Sequence, residues 1–189
     1  VSRSNRIRII GGKWRGRKLP VPERPGLRPT PDRVRETLFN WLQPVISGAR
    51  CLDLFTGSGA LGWEALSREA DELVMVDSDY QVVKTARETA QRLGCNRVVV
   101  VQTEAQRFLA GPAQPFNIVF LDPPFRQGIL LPCMQKLASN GWLAPHARIY
   151  FEHEVELANL PLPSGWRLLR SKQTGQVSYN LAEYSPQPA

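Results

Sequence analysis

An acid, two prolines and an aromatic ring close one apolar run of this chain. Asn117-Ile118-Val119-Phe120-Leu121 leads into Asp122-Pro123-Pro124-Phe125. Successive prolines fix the backbone and remove two N–H donors, leaving carbonyls to face a pocket. An exocyclic amine on a purine needs such a setting, because its lone pair is delocalised into the ring and it is a poor nucleophile. The Asp122 carboxylate and the Pro123 carbonyl can each accept one N–H of that amine, which orients the lone pair and steadies the charge that develops. Phe125 can stack on a base turned out of its helix. A rigid strand-end turn is the plain alternative. The acids at two other strand ends, Asp53 and Asp77, argue against it.

Asp53-Leu54-Phe55-Thr56-Gly57-Ser58-Gly59-Ala60-Leu61-Gly62 contains G-x-G-x-x-G at Gly57, Gly59 and Gly62. Glycines there permit a tight turn and bring backbone N–H groups close to a ligand. The same glycines would serve a purely structural turn, but their place after an apolar strand and before a helix favours a nucleotide site. Asp77 lies twenty residues after Gly57 and ends the next strand, where a carboxylate accepts from both hydroxyls of a ribose. Asp79 reads as a cap or a solvent-facing acid. Glu104 follows the third strand, within reach of an adenine amine; a first-turn helix acid is the other reading. NAD and S-adenosylmethionine both carry an adenosine. Asp53 separates them: a carboxylate before the turn repels a pyrophosphate and suits the ammonium of the methionine end.

These residues need a scaffold, and the chain supplies one. Apolar runs at 51–55, 73–76, 98–101, 118–121 and 147–151 read as strands. Helical segments lie at 61–66, 80–93, 104–109 and 130–138. The strands are apolar throughout, as in a parallel sheet covered on both faces. The alternation predicts a doubly wound α/β sheet. Residues 166–172 and 177–184, joined by Thr174-Gly175-Gln176, predict an antiparallel hairpin on the sheet edge. Upstream, Thr30 reads as the N-cap of a helix with Pro31 and Asp32 in its first turn. Val34, Leu38, Trp41 and Leu42 form its apolar stripe, and Pro44 ends it. Residues 6–19 read as a hairpin in which Ile7 and Ile9 alternate with Arg6 and Arg8. Gly11-Gly12 makes the turn, and Trp14 leads a second strand. The organisation is thus a basic arm and linker over 1–29 and a Rossmann-like domain over 30–189.

The chain has 189 residues, 42% of them hydrophobic and 22% charged, ordinary for a globular protein. Its net charge of +7 is unevenly placed. Residues 1–35 carry eleven Lys and Arg against Glu23 and Asp32, a balance of +9, while the remainder carries −2. A localised surplus of this kind reads as a contact surface for a polyanion, with a solvated basic face as the plainer reading. No apolar run spans a membrane, and the basic start lacks the apolar segment of a signal peptide, which points to a cytoplasmic protein. Cys51, Cys95 and Cys133 show no metal-site spacing and read as free thiols, with Cys51 in the core.

Five stretches together resemble the RsmD family, the bacterial methyltransferases that modify a guanine N2 in small-subunit (16S) ribosomal RNA. They are 8–17 (Arg-Ile-Ile-Gly-Gly-Lys-Trp-Arg-Gly-Arg), 27–30 (Leu-Arg-Pro-Thr), 32–42 (Asp-Arg-Val-Arg-Glu-Thr-Leu-Phe-Asn-Trp-Leu), 57–62 and 122–125. The last two are shared by many amino-methyltransferases; the basic hairpin joined to the 27–30 and 32–42 segments is more specific. The resemblance implies a class I S-adenosylmethionine-dependent fold without metal and with S-adenosylhomocysteine as product. It implies cofactor contacts from Asp53, Phe55, Gly57, Gly59, Asp77, Ser78, Glu104 and Ala105, with Arg28 and Thr30 closing over the site. Catalysis falls to Asp122, Pro123, Pro124 and Phe125, and RNA docking to Arg6, Arg8, Lys13, Trp14, Arg15, Arg17, Lys18, Arg33 and Arg35. The implied partner is 16S rRNA in the small ribosomal subunit or a late assembly intermediate, met by a monomer. Thr56 stands where the family often has alanine, and Glu104 where it often has aspartate or asparagine. The rivals are an adenine or DNA amino-methyltransferase, a nucleotide-dependent oxidoreductase and a non-enzymatic RNA-binding or ribosome-assembly protein. The first lacks a large recognition domain here, the second an acid–base residue for hydride chemistry. The third leaves 122–125 unexplained.

Overall fold

The computed structural model describes residues 6–157 and 159–186. Two compact units meet in sequence at Glu104 and Ala105.

The first unit opens with β1 (Arg6–Arg8), which pairs antiparallel with β2 (Lys18–Pro20), Ile7 opposite Leu19. Both of those apolar residues are buried while Arg6, Arg8 and Lys18 are exposed, the two-residue period of a one-faced strand. The second strand starts later than the sequence suggests. Residues 13–16 form turns, Gly16 donates to the Ile9 carbonyl, and Trp14 is not in a strand.

Helix α1 spans Asp32–Ile46. Pro31, not Thr30, occupies the N-cap position, and no side chain caps the helix. Pro31 is itself extended, with φ −57° and ψ 148°, so the helix begins one residue later than a Thr30 cap requires. Pro44 does not end the helix, which runs on to Ile46. Its missing N–H falls in the last turn, where the i−4 carbonyl it would have met belongs to the exposed Asn40. The buried stripe is Val34, Leu38, Phe39, Leu42 and Ile46; Trp41 is only half-buried.

Strand β3 (Arg50–Asp53), helix α2 (Ala60–Ser67), strand β4 (Glu72–Asp77), helix α3 (Tyr80–Leu93) and strand β5 (Val98–Gln102) follow. The strands are parallel in the order β5-β4-β3. Every residue of α2 is buried, whereas α3 buries only Val82, Val83, Ala86 and Thr89. β5 departs from the fully covered strand its four valines suggest: it is an edge strand, and Val99 is 60% exposed.

The second unit holds α4 (Ala105–Phe108), β6 (Phe116–Leu121), α5 (Leu130–Ser139), β7 (Leu143–Glu154), β8 (Trp166–Thr174) and β9 (Val177–Tyr184). Its strand order is β6-β7-β9-β8; β6 and β7 are parallel, and β7, β9 and β8 run antiparallel. The expected edge hairpin is β8–β9, closed by Gly175 and Gln176 with Gly175 at φ +56°. The architecture is mixed α/β and Rossmann-like, with a hairpin at each end of the chain.

Candidate functional site

In the first unit the site is built around the turn between β3 and α2. Gly57 and Gly59 have φ of +50° and +76°, a conformation that side-chain-bearing residues rarely adopt. A β-carbon on Gly59 would lie 2.8 Å from the indole of Trp63, and one on Gly62 would lie 3.1 Å from Asp53 Oδ2 and 2.6 Å from Met75. The third glycine therefore lets α2 pack closely over β3 and β4. Asp77, the last residue of β4, locks the turn: its Oδ2 accepts the Gly57 N–H at 3.0 Å and its Oδ1 the Asp79 N–H at 2.9 Å. Thr56 is buried and bonds through both backbone N–H and hydroxyl to the Val76 carbonyl. Asp79 caps α3 through Gln81 and Val82 and pairs with Arg24.

Asp53 is 2% exposed, and its Oδ2 has no hydrogen-bond partner among the described residues. Burial, then the charge of Asp77, pushes its carboxyl up to about 8, against a partial opposing effect of the Gly62 and Phe55 N–H groups. A buried carboxylate oxygen left unpaired beneath a glycine turn calls for a ligand partner. Phe55 is half-buried and Ser78 exposed; Glu104 is exposed and Ala105 buried. The Leu27 side chain lies against Gly57, which carries the 27–30 segment past the turn. Arg28 there is exposed, and the Thr30 carbonyl accepts from Arg35.

The basic arm is fixed by a buried polar network. Glu64, fully buried on α2, accepts the Ile10 N–H at 2.9 Å and the Gly11 N–H at 2.8 Å, and pairs with Arg68 and Arg35. Ser67 takes the Trp14 N–H and donates to the Gly11 carbonyl, while its own carbonyl accepts from Lys13. Gly11 and Gly12 are needed for this approach: a β-carbon on Gly12 would sit 1.8 Å from the Ser67 carbonyl oxygen. Arg6, Arg8, Lys13, Arg15, Arg17, Lys18 and Arg33 are exposed. Two residues assigned to RNA docking are not available for it. Trp14 is buried edge-on to Trp63 with ring centroids 6.4 Å apart, because its backbone is drawn in by Ser67. Arg35 is 1% exposed and spends its donors on Glu64, Asp32 and the Arg8 and Thr30 carbonyls.

In the second unit, Asp122 follows the last residue of β6 and is half-buried. Pro123 is buried, Pro124 exposed and Phe125 41% exposed, so the ring is open to a partner. Beside it on β7, the Tyr150 hydroxyl donates to Glu152 at 2.5 Å, and both groups are buried. Burial holds the Glu152 carboxyl above the usual carboxylate range and, with the Glu152 charge, the Tyr150 hydroxyl well above its own. The Arg126 N–H donates to Glu154. Glu64, Ser67, Tyr150, Glu152 and Glu154 escape the sequence reading. Glu64 alone leaves a signal, as the one charged residue in a helix that is otherwise apolar up to its last residue, Ser67. Among the described residues no group of three or more His, Cys, Asp and Glu could hold a metal ion.

Residues 7–183 match a family described as conserved hypothetical protein 95. The ribosomal RNA small subunit methyltransferase D of Escherichia coli (strain K12) is 53% identical over 98% of this chain and 94% of its own length. The chain belongs to the small-subunit ribosomal RNA methyltransferase D family. The ribosomal RNA small subunit methyltransferase D of Haemophilus influenzae is 48% identical over 93% of this chain and 92% of its own length. The solved Escherichia coli yhhF structure superposes with a TM-score of 0.90 at 50% identity, over 96% of this chain and 99% of that one. That agreement establishes the Rossmann-like methyltransferase fold.

Proposed function

We propose that this protein transfers a methyl group from S-adenosylmethionine to the exocyclic N2 amine of a guanine in bacterial 16S rRNA, yielding N2-methylguanosine and S-adenosylhomocysteine. The observation that carries the reading is Asp122-Pro123-Pro124-Phe125 standing at the end of β6 with the phenyl ring exposed, in a chain of this family.

The first unit fits the cofactor. The unpaired Asp53 Oδ2 answers the methionine ammonium, the turn at Gly57 and Gly59 admits the close approach of a ligand, and Asp77 faces the ribose hydroxyls while holding the turn. Phe55, Ser78, Glu104 and Ala105 border the adenosine, and Arg28 and Thr30 close over it. When bound, the cofactor supplies a sulfonium methyl as electrophile. Asp122 and the Pro123 carbonyl accept the two N–H bonds of the guanine amine, so that its lone pair is aimed outward. As the nitrogen gains positive charge, the same two acceptors stabilise it, and Asp122 is placed to take the proton that leaves. Pro124 stiffens the run, and Phe125 stacks on the base.

The exposed cations Arg6, Arg8, Lys13, Arg15, Arg17, Lys18 and Arg33 hold the RNA backbone of a small subunit or late assembly intermediate in the cytoplasm, with the enzyme acting as a monomer. Incubation of the purified protein with cofactor and with small subunits from a strain lacking the enzyme should produce N2-methylguanosine on nucleoside mass spectrometry. Methylated adenine or uracil in its place, or no methylated base, overturns the reading.

A further inference from the structure

We propose that Glu154 is a positioning residue for methyl transfer, holding the Asp122–Phe125 run in working shape through the backbone of Arg126. The proposal rests on the reading of 122–125 as the transfer loop. The loop leaves β6 at Leu121, and from Pro124 to Gly128 every residue is exposed. Burial holds Asp122 and Pro123 but does not fix the path from Pro124 onward. Arg126 has φ +61° without being glycine, a left-handed backbone that a β-carbon disfavours and that persists only where surrounding contacts impose it. The contact that imposes it is the Glu154 carboxylate, which accepts the Arg126 N–H.

Glu154 is itself well founded. It is the last residue of β7, paired opposite Val177 of β9, so its backbone is held on a paired strand. Along β7 the alternate residues Tyr150, Glu152 and Glu154 share one face. Phe120 of β6 meets Tyr150 edge-on at 6.5 Å. Alternation then places Asp122, two residues on from Phe120, toward that same face. The buried Tyr150–Glu152 pair thus lies on the face toward which Asp122 turns, and Glu154, two residues further along that face, takes the Arg126 N–H. A displacement of about 1 Å in groups that orient a reacting amine is enough to cost on the order of 10²-fold in rate.

The test compares three variants in single-turnover methylation with saturating small subunits and cofactor. Glu154→Ala should lower the rate about 10- to 100-fold and leave both KM for the subunit, from a separate steady-state titration, and calorimetric cofactor affinity within about twofold. Glu154→Gln keeps a side-chain oxygen that accepts the Arg126 N–H, and should recover most of the rate. Asp122→Ala should lose on the order of 10²-fold or more while still binding cofactor. A parent-like rate in Glu154→Ala alongside a dead Asp122→Ala overturns the positioning role only. A parent-like Asp122→Ala overturns the loop assignment beneath it. If both Glu154 variants lose rate and cofactor affinity together, Glu154 serves the fold in general and the proposal is wrong.

Discussion

Asp53 is buried with one oxygen unpartnered, and its carboxyl titrates near 8 where an exposed aspartate titrates near 4. Between those values the folded protein keeps the proton that the unfolded chain has lost. This group's contribution to stability is therefore full below about pH 4 and declines as pH rises toward about 8, with no further change above. Asp53→Asn, which mimics the protonated side chain, removes that decline. Urea unfolding at about pH 6 and about pH 8.5 should show the parent losing more stability than the variant over the interval. Binding of a cationic ligand adds a second signature. An ammonium beside Asp53 favours the ionised form, so cofactor binding releases a proton and affinity increases from about pH 6 to about pH 8. Calorimetry in buffers of different ionisation enthalpy reads that proton directly. The same pH slope in the asparagine variant would remove Asp53 from the ammonium site.

The docked hairpin depends on a backbone approach that glycine alone permits. Gly12→Ala puts a methyl into the Ser67 carbonyl at a residue with φ +76°, a cost of about 2 to 4 kcal/mol from overpacking and left-handed strain together. The hairpin should leave α2, with a red-shifted tryptophan emission as Trp14 meets water and new trypsin cleavage among Arg15, Arg17 and Lys18. Cofactor affinity should stay within about twofold. Unchanged emission and cleavage would mean that α2 yields instead. The same element shows the reach of sequence reading. Periodicity found Ile7, both terminal hairpins and α3 with its bounds, because each is a local pattern. It missed the docking, since Glu64 and Ile10 are 54 positions apart and nothing local announces a hydrogen bond between them. Residue type leaves Trp14 open to base stacking or to packing against the body and gives Arg35 to phosphate contact, and only the packing shows both to be buried. β5 misled in the opposite way, four valines on an edge strand reading as a covered one. The acid, two prolines and aromatic ring that follow β6 were legible from composition, but the Arg126–Glu154 hydrogen bond beyond them joins residues 28 positions apart and leaves no local signal.

Charge is sorted along the whole chain, with +9 in residues 1–35 and −2 in the rest. If the exposed arm meets RNA phosphates, binding to small subunits falls steeply with salt, and each lost contact reduces the slope of log affinity against log salt by roughly 0.7 to 0.9. Replacing Arg6, Arg8, Lys13, Arg15, Arg17 and Lys18 with glutamine should flatten that slope in filter binding and leave cofactor affinity alone. Retention of the parent's slope by a folded variant would reduce the surplus charge to a role in solubility. The Ile10, Gly11 and Trp14 N–H groups are already taken up by Glu64 and Ser67, so the hairpin is ordered before RNA arrives. Association then carries almost no folding entropy for this segment. Its heat-capacity change reflects the surface covered at contact and not a coil-to-hairpin transition, and the encounter rate is governed by electrostatic steering with no slow ordering step behind it.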